Sequence, residues 1–362
     1  MSSFGTVIHI DLFGESHGPK IGIVIHNLPA GLRLDQERIQ AALSRRRPSS
    51  DLATARQESD PYEIVSGYFN DHTTGTPLTI LIPNQDTRSR DYEPDILRPS
   101  HSDYVAHIKY HGHHDYRGGG HFSGRITAPL VILGAICEQI LEQKGVHLAS
   151  HIRSIHHIED DAFTLDNLTK ETLKRLYSSH FPLLDESVKP DMEAAIRAAK
   201  SDNDSVGGIV ETAVIGVPAG YGDPFFDKVE SLLSHLIFSI PAVKGLSFGD
   251  GFDMTRKRGS ETNDAFFVEN GVIKTSTNHS GGIQGGITNG MPIVFQTAIK
   301  PTSSIGLPQH TVNIKTMQEE TLELVGRHDP AIVHRAVHVI NAITSYAILE
   351  LMARREGPEW IR

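Results

Sequence analysis

The stretch that most limits how this chain can fold is His113–Arg125, His-His-Asp-Tyr-Arg-Gly-Gly-Gly-His-Phe-Ser-Gly-Arg, which opens directly into the apolar run Ile126–Leu141. Three consecutive glycines permit backbone conformations closed to other residues and let a ligand approach closely. A helix starting just after them points unsatisfied N–H groups, and the positive end of its dipole, at that ligand. Arg117 and Arg125 bracket the turn with fixed positive charge. The pattern predicts an anion-binding turn at the head of a long helix, with phosphate as the expected anion.

At 362 residues, 38% hydrophobic and 22% charged, the chain can bury a large core and reads as globular rather than disordered. The longest apolar run, Ile126–Cys137, contains Pro129 and is expected to be too short for a bilayer. Met1–Asp11 has no basic leader, so neither a membrane nor a secretory role is expected. The single cysteine, Cys137, sits in the apolar run, which fits inert core in a reduced, cytoplasmic setting. The net charge of −10 argues against a nucleic-acid partner. Yet arginine is clustered at Arg45–Arg47, at Arg88, Arg90 and Arg98, and at Arg117 and Arg125. An acidic chain that concentrates guanidinium in this way is expected to have a basic pocket for a small anion.

Periodicity and turn chemistry predict strands at Gly5–Leu12, Ile21–Ile25, Ile64–Phe69, Leu78–Ile82, Val146–Ile158, Val206–Val217 and Ile293–Ile299. Helices are expected at Gln36–Arg47 behind an Asp35 cap, then at Ser102–Tyr110, Ile126–Gln143, Leu165–Tyr177, Met192–Lys200 and Phe226–Ile237. Asn270-Gly271 between Phe266–Glu269 and Val272–Thr275 marks a hairpin. Asp329 and Pro330 read as the cap and first residue of a last long helix. Strand, Leu28-Pro-Ala-Gly31 and helix recur as strand, Val217-Pro-Ala-Gly220 and helix. Residues 1–362 are therefore expected to form one α+β domain of two pseudo-repeated halves, about 5–145 and 205–355.

His17, in Gly14-Glu-Ser-His-Gly18, is free to present an imidazole suited to proton transfer. The Gly-x-Ser-x-Gly pattern there lacks the helix that a nucleophile elbow needs, so a serine hydrolase is set aside. His101 lies beside Arg98 and Asp103, a grouping suited to an acid–base residue next to an anion. His107 and His111, four apart, could share a helix face and bind a metal, but no His-Glu-x-x-His pattern or nearby cysteine supports this, and no metal is expected. Of Arg45–Arg47, at most two can face one pocket. The glycine-rich segments match neither a dinucleotide fingerprint nor a P-loop. Lys300-Pro-Thr-Ser-Ser304 offers one cation and three hydroxyls as phosphate donors. These residues suggest a phosphate-handling enzyme with two or three acid–base groups.

Eight segments in order give the chain a family resemblance: Phe13–Gly18, Arg45–Pro48, Arg98–Tyr104, Asp115–Arg125, Ala242–Gly251, Asn278–Gly286, Lys300–Ser304 and Gly326–Pro330. Together they resemble the chorismate synthases over nearly the whole length. The resemblance implies a sandwich of antiparallel or mixed sheets with helices outside, assembled as a homotetramer. It implies anti-1,4-elimination of phosphate and a ring proton from 5-enolpyruvylshikimate 3-phosphate, dependent on reduced FMN without net redox change, at the last common step to the aromatic amino acids. His17 would protonate the departing phosphate, His101 would hold a proton near the flavin, and Asp329 would help remove the ring hydrogen. Arg46, Arg98, Arg125 and Arg327 would bind the substrate's anionic groups. FMN would be held by His121, Phe122, Ser123, Pro241, Ala242, Gly285, Lys300, Pro301, Thr302, Ser303, Ser304 and Arg327. NADPH enters only as a source of reducing equivalents, with an external flavin reductase as the implied partner. The three glycines would give the flat cofactor ring room against backbone.

The sequence departs from the family pattern in two places. Many members have Arg-Ser-Ser-Ala-Arg where this chain has His121–Arg125, and many carry a further arginine where it has Leu52, a charge that Arg56 could supply. The competing readings are a metal-dependent phosphohydrolase built on the His107–His121 group and a non-enzymatic anion-binding protein.

Overall fold

In the computed structural model, residues 2–47, 52, 59–85, 93–324 and 329–362 are described. The helices are α1 (Gln36–Arg46), α2 (Asp103–Lys109), α3 (Thr127–Gln143), α4 (Lys170–Ser178), α5 (Lys189–Ser201), α6 (Val229–Ile237), α7 (Gly259–Thr262) and α8 (Val333–Glu356). Neither of the two longest has a continuous polar face. Gly124–Gln143 and Val333–Glu356 are apolar and long enough to cross a membrane, so the apolar run is not too short once its helix is complete. Yet 89% and 100% of their most apolar windows lie inside the protein. Helices that are hydrophobic all round need neighbours all round, and these two have them.

One neighbour of each is the other: a Cβ on Gly134 of α3 would lie 2.2 Å from Cα of Ala342 of α8, so the backbones meet where only glycine fits. The remaining faces are covered by α1, which packs on both helices, by α6, which packs on α8, and by two five-stranded antiparallel sheets. The first runs in the order Ser3–Phe4, Ile10–Phe13, Lys20–Ile25, Leu78–Pro83, Glu63–Ser66, and packs on α3. The second runs Val243–Phe248, Ile293–Ile299, Gly208–Ile215, His147–Ile155, Ile158–Glu159, and packs on α8. Strict alternation puts Leu78, Ile80 and Ile82 into the core from one sheet and Ile293, Phe295 and Ile299 from the other. The same order of elements occurs twice. Lys20–Ile25 precedes α1 and pairs with Leu78–Pro83, which precedes α3; Gly208–Ile215 precedes α6 and pairs with Ile293–Ile299, which precedes α8.

The α+β class is as expected, and α4 lies against the outer part of the second sheet. The two longest helices correct the expectation of helices outside, because their apolar circumference places them between the sheets. Asp35 caps α1 by accepting from the Arg38 N–H at 3.1 Å, as expected. The hairpin has its expected register, Glu269 opposite Val272, with Asn270 and Gly271 both at positive φ.

Two further expectations are corrected. Gly5–Leu12 is not one strand: Thr6, Val7 and Ile8 turn their N–H groups onto the carboxylate of Glu350, at 2.6–3.1 Å. Glu350 is fully buried, and a buried carboxylate needs such donors. Asp329 does not cap α8, which starts at Val333 behind Ile332. The Pro330 carbonyl instead accepts from Val206, tying this segment to the second half, and the Asp329 carboxylate turns to Arg335 on the first turn of α8, at 2.8 Å.

Candidate active site

A cavity of about 890 Å³ opens where the first sheet, α3 and α8 meet the start of Val243–Phe248. Among the described residues its lining carries six cations (Arg46, Arg47, Arg98, Arg125, Lys300 and Arg335) and two carboxylates (Asp60 and Asp329). It is a basic hollow in a chain of net charge −10.

The triglycine turn forms one wall. Gly118, Gly119 and Gly120 have φ of +61°, +86° and +55°, values that disfavour side chains. A Cβ on Gly118 would lie 2.0 Å from Cε1 of His17, and one on Gly119 would lie 3.5 Å from Cε1 of His101. The backbone bared by the glycines is thus covered by the two histidine rings, which corrects the expectation that it lies open for a flat cofactor.

His17 leans on Ser16, whose Oγ lies 3.1 Å from Nδ1 and 3.0 Å from the Gly118 carbonyl. The carbonyl can only accept, so the hydroxyl hydrogen goes to it, and the hydroxyl oxygen accepts from Nδ1–H. With Nδ1 engaged by Ser16, proton transfer at this ring runs through Nε2. Ser16 is fully buried, which removes it as an exposed nucleophile.

The Nδ1 of His101 lies 2.7 Å from Oδ1 of Asp103, which also accepts from the Nε and Nη2 of Arg98 at 2.8 and 2.7 Å. Burial alone would raise the Asp103 carboxyl pKa, but the bonds from His101 and Arg98 outweigh it and hold it far below the carboxylate range. Asp103 is therefore an acceptor only, Nδ1 of His101 carries the hydrogen, and Arg98 presents one edge of its guanidinium to Asp103 rather than to a ligand.

The floor is a buried cation cluster around Asp60, which is itself fully buried. Arg125 Nη1 donates to one oxygen, Arg46 Nη2 donates to the other at 3.2 Å, and Arg47 Nε stands 3.8 Å away. Burial, with the charges of Arg335 and Arg125, brings the Arg46 guanidinium down to about 10. Asp60, against its own burial, is held below its ordinary value by Arg46 and Arg125. Arg46 Nε and Arg47 Nη2 are buried donors with no acceptor among the described residues. Arg46 and Arg47 both line the cavity, and guanidinium groups with donors to spare suit an anionic ligand. Arg46 and Arg47 share the cavity while Arg45 points away, over the Tyr177 ring at 4.8 Å.

At the opposite end, Lys300 Nζ donates to Ser303 Oγ (2.7 Å) and to the Ser100 carbonyl (2.8 Å), and Thr302 Oγ1 donates to the Asp329 carbonyl (2.7 Å). The Lys300–Ser304 loop thus stitches the His101 segment to Asp329. Lys300, Thr302, Ser303 and Ser304 offer donors to a phosphate, while Leu12, Leu130, Ile240 and Val339 line an apolar stretch of the same cavity. That donor set and that wall fit a flat ring with a phosphate tail, within the usual ligand-pocket range of about 300–1,000 Å³.

Of the expected cofactor residues, His121, Phe122, Ser123, Pro241, Ala242, Lys300, Thr302, Ser303 and Ser304 line this cavity. His121 spans Gly14 O (2.8 Å) and Ser2 Oγ (2.9 Å), so it also pins the N-terminus. Pro301 is exposed and Gly285 sits at the turn between Ile283–Gln284 and Ile287–Thr288; neither lines the cavity. Arg327, Arg56, Arg88 and Arg90 fall outside the described residues. The expected helical pair His107 and His111 does not form, because α2 ends at Lys109 and His111 has a φ of +53°. Among the described residues, no three His, Cys, Asp or Glu side chains converge as a metal site. Sequence reasoning missed Asp60 and Asn84, which act through contacts far along the chain, and Arg335, whose place beside Asp329 depends on where α8 starts.

The family model for chorismate synthase matches residues 8–353. The chain belongs to the chorismate synthase family. It is similar to the chorismate synthases of Chitinophaga pinensis, 46% identical over 97% of this chain and 96% of that one, and of Pyrococcus abyssi, 43% identical over 97% and 98%. A solved structure titled as the crystal structure of chorismate synthase superposes with a TM-score of 0.77 at 25% identity, over 99% of this chain and 96% of that one. The chain has the family's fold over 99% of its length.

Proposed function

We propose that the protein is a carbon–oxygen lyase, converting 5-enolpyruvylshikimate 3-phosphate to chorismate and phosphate in aromatic amino-acid biosynthesis. The observation that carries this reading is one cavity lined by His17, His101 and Asp329 together with Arg46, Arg98, Arg125 and the Lys300–Ser304 loop. The substrate carries a phosphate and two carboxylates, and six lining cations against two carboxylates suit such a polyanion.

In the reaction, the ring C–O bond to phosphate breaks, a ring C–H bond gives up its proton, and a second ring double bond forms. The buried donors of Arg46, with Arg125, hold the anionic groups, and Arg327 joins them by family resemblance. His17, with Nδ1–H held by Ser16, enters as the doubly protonated ring and delivers the Nε2 proton to the departing phosphate, leaving the neutral imidazole. His101, fixed in one tautomer by Asp103, keeps a proton at the cofactor side. Asp329, steered by Arg335, serves removal of the ring proton. Reduced FMN would be held by the residues of the Lys300–Ser304 end and by Ala242, and would supply an electron-rich ring when bound. NADPH or an external reductase supplies only the reducing equivalents, and the assembly is a homotetramer in the cytoplasm. The test is anaerobic conversion of 5-enolpyruvylshikimate 3-phosphate to chorismate with dithionite-reduced FMN; phosphate release without chorismate, abolished by a chelator, would point to a metal phosphohydrolase instead.

A further inference from the structure

We propose that Asn84 is a positioning residue that fastens the substrate-side Arg125 to the loop carrying His17, keeping cation and proton donor at one spacing. The proposal rests on the roles given above to those two residues. Asn84 follows directly on Leu78–Pro83, and its backbone N–H reaches the Pro19 carbonyl at 3.2 Å, so it stands where the strand ends beside the His17 loop. Its side chain does not line the cavity. Oδ1 accepts from Arg125 Nε at 2.9 Å, while Nδ2 donates to the Glu15 and Gly18 carbonyls at 3.0 and 2.8 Å.

The orientation of this amide is unambiguous. A guanidinium can only donate and a carbonyl can only accept, so the oxygen must face Arg125 and the nitrogen the loop. Among side chains of this length only asparagine offers both poles: aspartate would set an oxygen against two carbonyl oxygens, and leucine would leave all three bonds unmade. The two carbonyls it holds flank His17 on both sides. The triglycine turn holds the same loop from the other direction, through Ser16 N to Gly120 O at 3.1 Å and the Ser16 hydroxyl. Arg125, only 6% exposed, is held in turn by Asn84, Asp60 and the Pro83 carbonyl. One amide therefore joins the two walls that must present a cation and a proton to the same leaving group. A displacement of about 1 Å in such a pair costs on the order of 100-fold in rate.

The experiment compares Asn84→Ala in the full chain with and without His17→Ala. The expected result is a kcat reduced at least ~10-fold in the wild-type background and less than ~2-fold in the His17→Ala background. Equal factors in both backgrounds would reduce Asn84 to a structural role and overturn the proposal. Histidine NMR of the ligand-free protein is read alongside: Asn84→Ala should shift the His17 ring resonances and leave those of His101 in place, and unchanged His17 resonances would also overturn it. Because this second readout needs no turnover, it decides the proposal even if the wild-type protein forms no chorismate, a result that would sink the reaction assignment alone. Should Asn84→Ala not fold, Asn84→Gln keeps both poles on a longer stem and carries the same comparison, with partial recovery of kcat expected.

Discussion

Asp60 shows how much of the site depends on single contacts. It is fully buried, yet it sets the direction of Arg46 and Arg125 and stands 3.8 Å from Arg47. Replacing it with asparagine leaves buried guanidinium groups without their counter-charge, which is expected to cost about 3–5 kcal/mol. Urea denaturation of Asp60→Asn checks this, and a loss under about 1 kcal/mol would mean that the cluster is not held by this carboxylate. Gly118 makes a second case. A methyl group there would occupy the place of the His17 ring, so Gly118→Ala should lower kcat nearly as far as His17→Ala, itself expected to fall at least ~100-fold. Near-normal turnover in either variant contradicts the role given to His17. The histidines and the Arg98–Asp103 grouping were legible because they fall in short segments with unusual composition. Asp60 was not: Ser59-Asp60-Pro61 resembles any polar turn, and its partners lie 14 and 65 positions away.

At the scale of elements, α8 carries the clearest pH dependence. His334 and His338 are buried on it, and burial first, then the charges of Arg335 and Arg45 respectively, push them down to about 4 and about 3. The unfolded chain titrates near 6.5, so between these values it binds more protons than the folded one. Their contribution to stability is therefore complete above about 6.5 and is lost as pH falls toward the folded values, by about 1 kcal/mol per histidine per pH unit. His151 works with the opposite sign. Burial opposes its charge, but Asp160 and Glu211, at 2.8 and 3.0 Å, raise its pKa. Its contribution is complete below about 6.5 and disappears as pH rises through the folded value. Urea midpoints across pH 4.5–8.5 separate the two: His338→Gln should flatten the acid limb and His151→Gln the alkaline one. An acid limb unchanged in His338→Gln would contradict the buried, neutral state of that ring. Helix boundaries show the same reach of tertiary contacts. Asp35 behaves as a local cap, its carboxylate accepting from the Arg38 N–H, whereas Asp329, with the same local signal, is drawn away by Arg335 and by the pairing of Pro330 with Val206.

At the scale of the molecule, the repeated Pro-Ala-Gly turns gave the expectation of two like halves, and the elements run strand, helix, strand and long helix at both ends of the chain. What the sequence could not show was where the two long helices go, since an apolar run reads alike between sheets and across a bilayer. Their burial against each other at Gly134 and Ala342 makes the two halves one core. The cavity lies at that junction: His17, Arg46, His101 and Arg125 come from the first half, and Ala242, Lys300 and Asp329 from the second. A site assembled this way accounts for histidines, carboxylates and arginines that are far apart in the chain yet share one hollow. The most direct measurement is the anaerobic incubation of the full-length protein with 5-enolpyruvylshikimate 3-phosphate and dithionite-reduced FMN, following chorismate by absorbance. Chorismate and phosphate are expected in equal amounts, with neither formed when FMN is left oxidised; phosphate without chorismate, or binding without turnover, would contradict the assigned reaction.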